Sequence, residues 1–419
     1  MKRVNTGQKI ATLTLLFTFL ATFTPTQSAE TLEFTTSLNG PETSVVSADK
    51  ASVWVMSYDN SSLKQYSTST GQLLNTVSVG GSAFDIAMTP DGSKIYVALN
   101  AISAIAVVNT STATLARSIT TPTNSTGIAV SPDGANVWVS TNFSTIRKIS
   151  TLTDSITANY TAPGATVYDM KFSPDGTYIY LADSSNSRIV KYQTSDFTLV
   201  GSATGIATRY IAISPDGTFG YSFPYSGNNV YKFATNPMSL TNTISGFGSP
   251  SQANFTPDGQ FVYVPNGSAK SVIRIKTSDN SLTTVFTGLT GTPWHSTIDP
   301  SGRYFFVSSS GTPGAFYQYN LGMTFTPASV ALNLMGAHIF RSSTTISVTT
   351  SASSGKVTFY ARGKYIPNCK NLSVTTTTTT CSFRPSGRGS VPITAVYVVN
   401  GTTVRTSAEM IIGNRTSVR

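Results

Sequence analysis

An internal repeat constrains this chain more than any other feature. The tetrapeptides TPDG at Thr89, SPDG at Ser131, Ser173 and Ser214, TPDG at Thr256 and DPSG at Asp299 share one frame. Their prolines are Pro90, Pro132, Pro174, Pro215, Pro257 and Pro300, so the steps are 42, 42, 41, 42 and 43 residues. One step back from Pro90 lies Ala48 in SADK, followed by SVWVM, which matches KIYVAL, NVWVST, YIYLAD and FVYVPN in other copies. Seven copies result. A full copy holds four short runs rich in β-branched and aromatic residues; in the second they are FDIAM, KIYVAL, AIAVVNT and TLARSIT. Alternation of this kind fits pleated strands, and Pro-Asp-Gly between two of them supplies a fixed φ followed by residues that accept a tight turn. One four-stranded unit cannot bury both of its faces alone, whereas radial stacking buries them all. The expectation is an all-β chain whose first part is a seven-bladed β-propeller.

The ends of the array carry a second expectation. The last copy runs RYFFVS and AFYQYNL and stops without an outer strand, while TLEFTTSL at Thr31 to Leu38 precedes the first inner strand and has no copy. Residues 31–38 are therefore expected to complete the last blade and close the ring.

The run DGQFVYVPNGSAKSVIRIKTSDNSL resembles the YVTN-type β-propeller repeat of bacterial and archaeal surface and periplasmic proteins, which is related to lactonase-like propellers. The resemblance covers Thr31 to about Leu321. It implies the fold; the superfold hosts binding, electron-transfer, hydrolytic and adhesive members, so it implies no single activity. Beyond TFTPAS the PDG frame is absent, and TTISVTT, KVTFYARG, LSVTTTTTTCSF, VPITAVYVV and SAEMII are separated by Gly, Ser and Asn turns. Short antiparallel strands over this length point to a small sandwich. The stretch from GKVTFYARG to VPITAVY is similar to a bacterial Ig-like surface domain, whose members often pair cysteines across a hairpin. The threonines from Thr375 to Thr380 read as one strand and turn, with a low-complexity linker as the alternative.

The N-terminus has Lys2, Arg3 and Lys9, then an uncharged apolar stretch from Ile10 to Phe23, then small and polar residues up to Ala29. That order is a secretory signal peptide, too short to span a bilayer comfortably, with an uncleaved anchor as the alternative. No transmembrane segment is expected after its removal. The expected organisation is 1–29 signal peptide, 30–322 propeller, 323–329 linker, 330–413 Ig-like β-sandwich and 414–419 tail, in a secreted or cell-surface protein. In an exported chain the only two cysteines, Cys369 and Cys381, are read as a local disulfide rather than half of a metal site.

Inner strands line a propeller's channel, and their first residues face one rim. Five positions before the motif's second residue lie Thr43, Asp85, Gly127, Asp169, Tyr210, Gln252 and His295; just before them lie Glu42, Phe84, Thr126, Tyr168, Arg209, Ser251 and Trp294. Such variation inside a copied frame suits a binding mouth. Asp85, Asp169, Arg209, Tyr210, Trp294 and His295 are the candidate ligand-binding residues, with Phe84 and Tyr168 adding to an aromatic surround suited to a sugar or peptide. Lys171 and Asn254, two positions further on, could partner the acids. The bland alternative is polar hydration of a channel mouth. A metal held by Asp85, Asp169 and His295 is a weaker alternative because the three sit on different blades, and the motif aspartates read as turn formers. No catalytic residues, metal or cofactor are assigned. The sequence has no G-x-S-x-G, H-E-x-x-H, Walker or C-x-x-C-H motif, and its two histidines leave little for a Ser-His-Asp triad.

The expected function is binding or adhesion, toward a glycan, peptide or surface protein, with a lactonase-like or other sugar-acting enzyme as the alternative. Charge sharpens the choice of partner. The whole chain is +10, but residues 30–322 carry 15 Lys+Arg against 17 Asp+Glu, whereas residues 323–419 carry 10 against the single Glu409. A nearly neutral propeller makes a poor nucleic-acid clamp, and a tail of +9 suits an anionic cell envelope.

Overall fold

The computed structural model describes residues 30–413, apart from 59–60, 142–143, 163–165, 225, 312, 323–329, 335–337, 340–342, 351–354, 362–363, 375, 377, 386–388 and 400–401. The expected signal peptide, linker and tail lie outside the described residues. Among those described, seven four-stranded antiparallel sheets precede two smaller ones. Their inner strands are Pro41–Val46, Ala83–Met88, Ser125–Val130, Val167–Phe172, Tyr210–Ile213, Asn254–Phe255 and Thr292–Ile298, which define blades 1 to 7. Each inner strand meets the next, and that of blade 7 meets that of blade 1, so the blades form a closed ring.

The period-2 pattern of the second strand explains the stacking. In blade 1, Ser52–Ser57 sends Trp54 and Met56 into a core shared with Ile95 and Val97 of blade 2, while Val53 and Val55 enter a core with Phe306 and Phe316 of blade 7. Blade 2 does the same, with Ile95 and Val97 facing back and Tyr96 and Ala98 facing Val137 and Val139 of blade 3. A strand apolar on both faces is what a sheet buried between two others requires.

The seventh sheet joins Thr292–Ile298, Tyr304–Ser310 and Ala315–Asn320 to Thr31–Ser37, with Ser37 opposite Ala315 and Thr31 opposite Asn320. The N-terminal strand is thus the outer strand of the last blade. Just before it, Glu30 Oε1 accepts hydrogen bonds from Tyr263 Oη (2.6 Å) and from the Arg274 guanidinium (2.7 Å) of blade 6.

The Pro-Asp-Gly turns stitch neighbouring blades together. Ser131 Oγ donates to Asp133 Oδ1 (2.5 Å), which also accepts from the Ala135 amide (2.9 Å). Asp175, Asp216 and Asp258 repeat this pattern. Gly134 has φ 73°, and a Cβ there would lie 3.2 Å from the ring of Pro90; Gly176, Gly217 and Gly259 likewise rest on Pro132, Pro174 and Pro215 of the preceding blade, and Gly92 on Ala48.

In the C-terminal region, a three-stranded sheet of Val330–Asn333, Thr344–Thr350 and Thr378–Phe383 accompanies a larger sheet built on Lys356–Ala361, Gly389–Val399 and Thr402–Gly413. Ile346, Val348 and Cys381 from the first share one core with Phe359, Ile393, Tyr397 and Met410 from the second. Cys369 and Cys381 form a buried disulfide with a Cα–Cα separation of 5.7 Å. Thr378 to Thr380 begin a strand; Thr375 and Thr377 lie outside the described residues.

Candidate functional site: the propeller channel

The inner strands are irregular at their starts. Register shifts fall between Pro41 and Ser44, Ala83 and Asp85, Ser125 and Ile128, Val167 and Met170, and Pro293 and His295. A bulge turns an amide out of the ladder, and a buried amide needs an acceptor. Two of the candidate acids supply it. Asp85 Oδ1 accepts from the Ile86 amide (2.9 Å) and Thr43 Oγ1 (3.3 Å), and its Oδ2 faces the Ile128 amide of blade 3 at 3.4 Å. Asp169 Oδ1 accepts from the Met170 amide (2.8 Å) and Lys171 Nζ (2.7 Å), and its Oδ2 from the Ile211 amide of blade 5 (2.9 Å). Both carboxylates therefore bridge one blade to the next.

The structure gathers the acids, Lys171 and His295 into one electrostatic unit. Asp169 is 1% exposed and Asp85 8%. Burial pushes the Asp85 carboxyl up to about 6, with Asp169 adding to the rise and Lys171 and His295 opposing it. Burial works against the Lys171 charge, but Asp169 and Asp85 outweigh it and hold its pKa above the ordinary lysine value. The Lys171 side chain is 32% exposed and lines the channel cavity. His295, 3% exposed, places Nδ1 3.4 Å from Glu42 Oε2, within ion-pair range but without an aligned hydrogen bond.

The residues one position earlier converge on Arg209. Its guanidinium carbon lies 4.8 Å from the ring centre of Tyr168, 5.5 Å from Phe84, 5.5 Å from Tyr210 and 5.7 Å from Trp294. Phe84 stacks with Tyr168 at 5.9 Å, and Tyr210 meets Trp294 and His295 edge-on. Because these rings come from blades 2, 4, 5 and 7, the cation–π cluster spans this end of the channel. The aromatic surround expected for a ligand is occupied by a side chain of the same chain. Asn254 bonds to neither acid and donates instead to the Ser296 carbonyl oxygen (2.6 Å). Among the described residues no group of three or more His, Cys, Asp or Glu is arranged to hold a metal ion.

Beyond the acid layer, toward the Pro-Asp-Gly turns, the channel widens into a cavity of about 380 Å³. Its wall is divided. Blades 6, 7 and 1 contribute the uncharged polar Gln252, Asn254, Ser296, Thr297, Thr43 and Ser44, while blades 2 to 5 contribute the apolar Ala87, Ala129, Val130 and Ile213 together with Asp85 and Lys171. The polar half has a sequence signature in the position before the channel-lining one: Ile86, Ile128, Met170, Ile211 and Ala253 give way to Ser296 and Ser44 in the adjacent blades 7 and 1.

No family model matches the chain, and no curated protein does. Among solved structures, Kuenenia stuttgartiensis hydrazine synthase is similar to it with a TM-score of 0.62 and 17% identity, over 68% of this chain and 97% of that one. At that identity the likeness shows the fold alone.

Proposed function

We propose that this chain is a secreted or cell-surface binding protein, a YVTN-type propeller that presents a recognition face and carries a basic, Ig-like domain as its envelope-proximal spacer. One observation supports binding over catalysis. Asp85 and Asp169, the carboxylates best placed for chemistry, each accept an amide of their own strand and face or accept one from the next blade. Groups fixed in this way stiffen the ring and present its loops rigidly, which lowers the entropy cost of association. The charge division supports the spacer role, since long-range attraction to an anionic surface belongs to the +9 segment.

The test compares the mature chain with one ending at Gly322 on whole cells and on glycan and peptide arrays. Retention at the envelope should require residues 323–419 and weaken with salt, while array binding should stay with the propeller. Envelope retention by the shortened chain would overturn the spacer role, and absence of array binding by either chain would overturn the recognition face. A lactonase-like reading has one specific support, the raised Asp85 carboxyl beside Lys171 at the cavity wall. Lactone turnover abolished by Asp85→Asn with the fold retained would favour it.

A further inference from the structure

The repeat position that holds Glu42, Phe84, Thr126, Tyr168, Arg209, Ser251 and Trp294 varies inside a copied frame, and three of its members are large rings. With Tyr210 those rings surround one guanidinium, that of Arg209, at 4.8 to 5.7 Å. Large rings elsewhere in the propeller are sealed in the cores between blades: Trp54 and Trp138 are 0% and 1% exposed. Phe84, Tyr168 and Trp294 are only half-buried, and so is Arg209 itself. Solvent therefore reaches both the cage and the cation inside it.

We propose that this aromatic cage recognises an arginine side chain of a partner protein, which enters by displacing Arg209. The chemistry follows from what the cage already holds. Ring faces attract a cation through their quadrupole, and a flat, weakly hydrated guanidinium stacks on them better than a compact ammonium does. Exchange of one guanidinium for another keeps a cation among the four rings, while the displaced Arg209 extends from the rim into water. Charge around the mouth has the same preference. The carboxylates of Glu42, Asp85 and Asp169 outnumber the cations Arg209 and Lys171, and Arg209, Glu42 and Asp169 all act on Tyr210. Glu42 stands beside His295, which meets both Tyr210 and Trp294 edge-on, so a carboxylate lies on the rim of the cage. An anionic partner would meet this surplus of acids, and a neutral one would leave the ring faces without their cation.

This inference rests on the recognition face proposed above and names what that face takes. N-acetyl-arginine amide, and the uncharged N-acetyl-citrulline amide of nearly the same shape, would be titrated into the full mature chain. Calorimetry and tryptophan fluorescence follow binding; the fluorescence reports Trp294, because Trp54 and Trp138 are buried. The expected result is saturable binding of the arginine amide alone. Its affinity should rise about tenfold in Arg209→Ala, as for a parent cage that stands open about one tenth of the time. In that variant Tyr168→Leu should lower the affinity about fivefold, whereas Tyr168→Phe keeps the ring and should not. Melting temperatures identify a variant that fails to fold, and the titration of the parent, which needs no substitution, then decides alone. Absence of saturable binding to the parent would overturn the inference by showing that Arg209 is a fixed plug. Equal binding of the citrulline amide, or equal affinity in the parent and a folded Arg209→Ala, would overturn it as well. Array ligands held by the propeller that the arginine amide fails to displace would sink this site and leave the recognition face standing. Arginine amide bound by a chain that captures nothing on the arrays would do the reverse.

Discussion

The Asp169 carboxylate accepts the backbone amide of Ile211 at 2.9 Å across the boundary between blades 4 and 5. Together with the Met170 amide and Lys171, this places a fully buried acid at the junction of two sheets. Asp169→Ala removes the acceptor for two amides and the counter-charge of Lys171. Leaving a buried amide unmatched costs about 1–3 kcal/mol, and a buried charge that loses its partner about 3–5. Lys171 is partly reached by channel water, so a total loss of about 2–4 kcal/mol is expected from denaturant unfolding. A double variant with Lys171→Met should recover part of it; a single variant within about 0.5 kcal/mol of the parent would show that the bridge is dispensable.

Gly127 occupies the same repeat position as Asp85 and Asp169, and its reason is steric. A Cβ there would fall 2.6 Å from the Tyr168 carbonyl oxygen and 2.9 Å from Asp169 Cα, both backbone atoms that cannot swing aside. Gly127→Ala should therefore destabilise by more than about 2 kcal/mol, against the gain of up to about 1 kcal/mol that Gly→Ala gives where space allows. A melting temperature equal to or above the parent's would contradict this packing.

These two positions show what could be read from residues alone. The copied frame around Pro90, Pro132 and Pro174 specifies blade number and strand order, because hydrophobic alternation and turn chemistry are local. Variation among Asp85, Gly127 and Tyr210 carries a different message, set by how each inner strand meets the one 42 or 43 residues later. The acid at 85 faces an amide in blade 3, and the glycine at 127 yields to a carbonyl in blade 4. Neither contact can be seen without the bulges that turn those groups toward the channel. The frame does bring Phe84, Tyr168, Arg209 and Trp294 to one repeat position; that the guanidinium fills the aromatic surround depends on side-chain placement between rings up to 125 positions from it in sequence. A support within each blade does leave a trace. Thr110, Thr151, Thr194, Thr235 and Thr277 recur at the repeat period, and each hydroxyl donates to the carbonyl of its blade's turn glycine at 2.6–2.7 Å.

Ring closure depends on Thr31–Ser37 as the partner of Ala315–Asn320. Without it the strand at Ala315 becomes an open edge, and the Tyr263 and Arg274 bonds to Glu30 are lost with it. A mature chain beginning at Leu38 should form dimers or larger species through that edge. Light scattering after gel filtration checks this, and a stable monomer of unchanged melting temperature would refute it.

The Cys369–Cys381 bridge closes a loop of 12 positions in the C-terminal region. Replacing both cysteines by alanine should lower that region's stability by about 2–3 kcal/mol. The propeller has no cysteine. Two-transition calorimetry should therefore show one transition moving and one fixed, and a common shift of both would show that the two regions unfold together.

Asp85 makes stability depend on pH in a predictable direction. Its carboxyl is held up to about 6 by burial, against an ordinary value of 3.8. Between those values the folded chain keeps a proton that the unfolded chain releases, so protonation favours the fold. The contribution is complete below about pH 4, falls as pH rises through 6, and is gone above about 7. A rise of roughly two units corresponds to about 3 kcal/mol. Lys171, Asp169 and His295 surround the group, and titrations elsewhere cancel when the parent is compared with Asp85→Asn. The difference in unfolding free energy between the two chains should therefore shift in favour of the parent by about 2–3 kcal/mol on going from pH 7 to pH 4.5. A difference that stays constant over that range would show that Asp85 is ionised in the folded chain at both pH values, and that Lys171 compensates its burial in full.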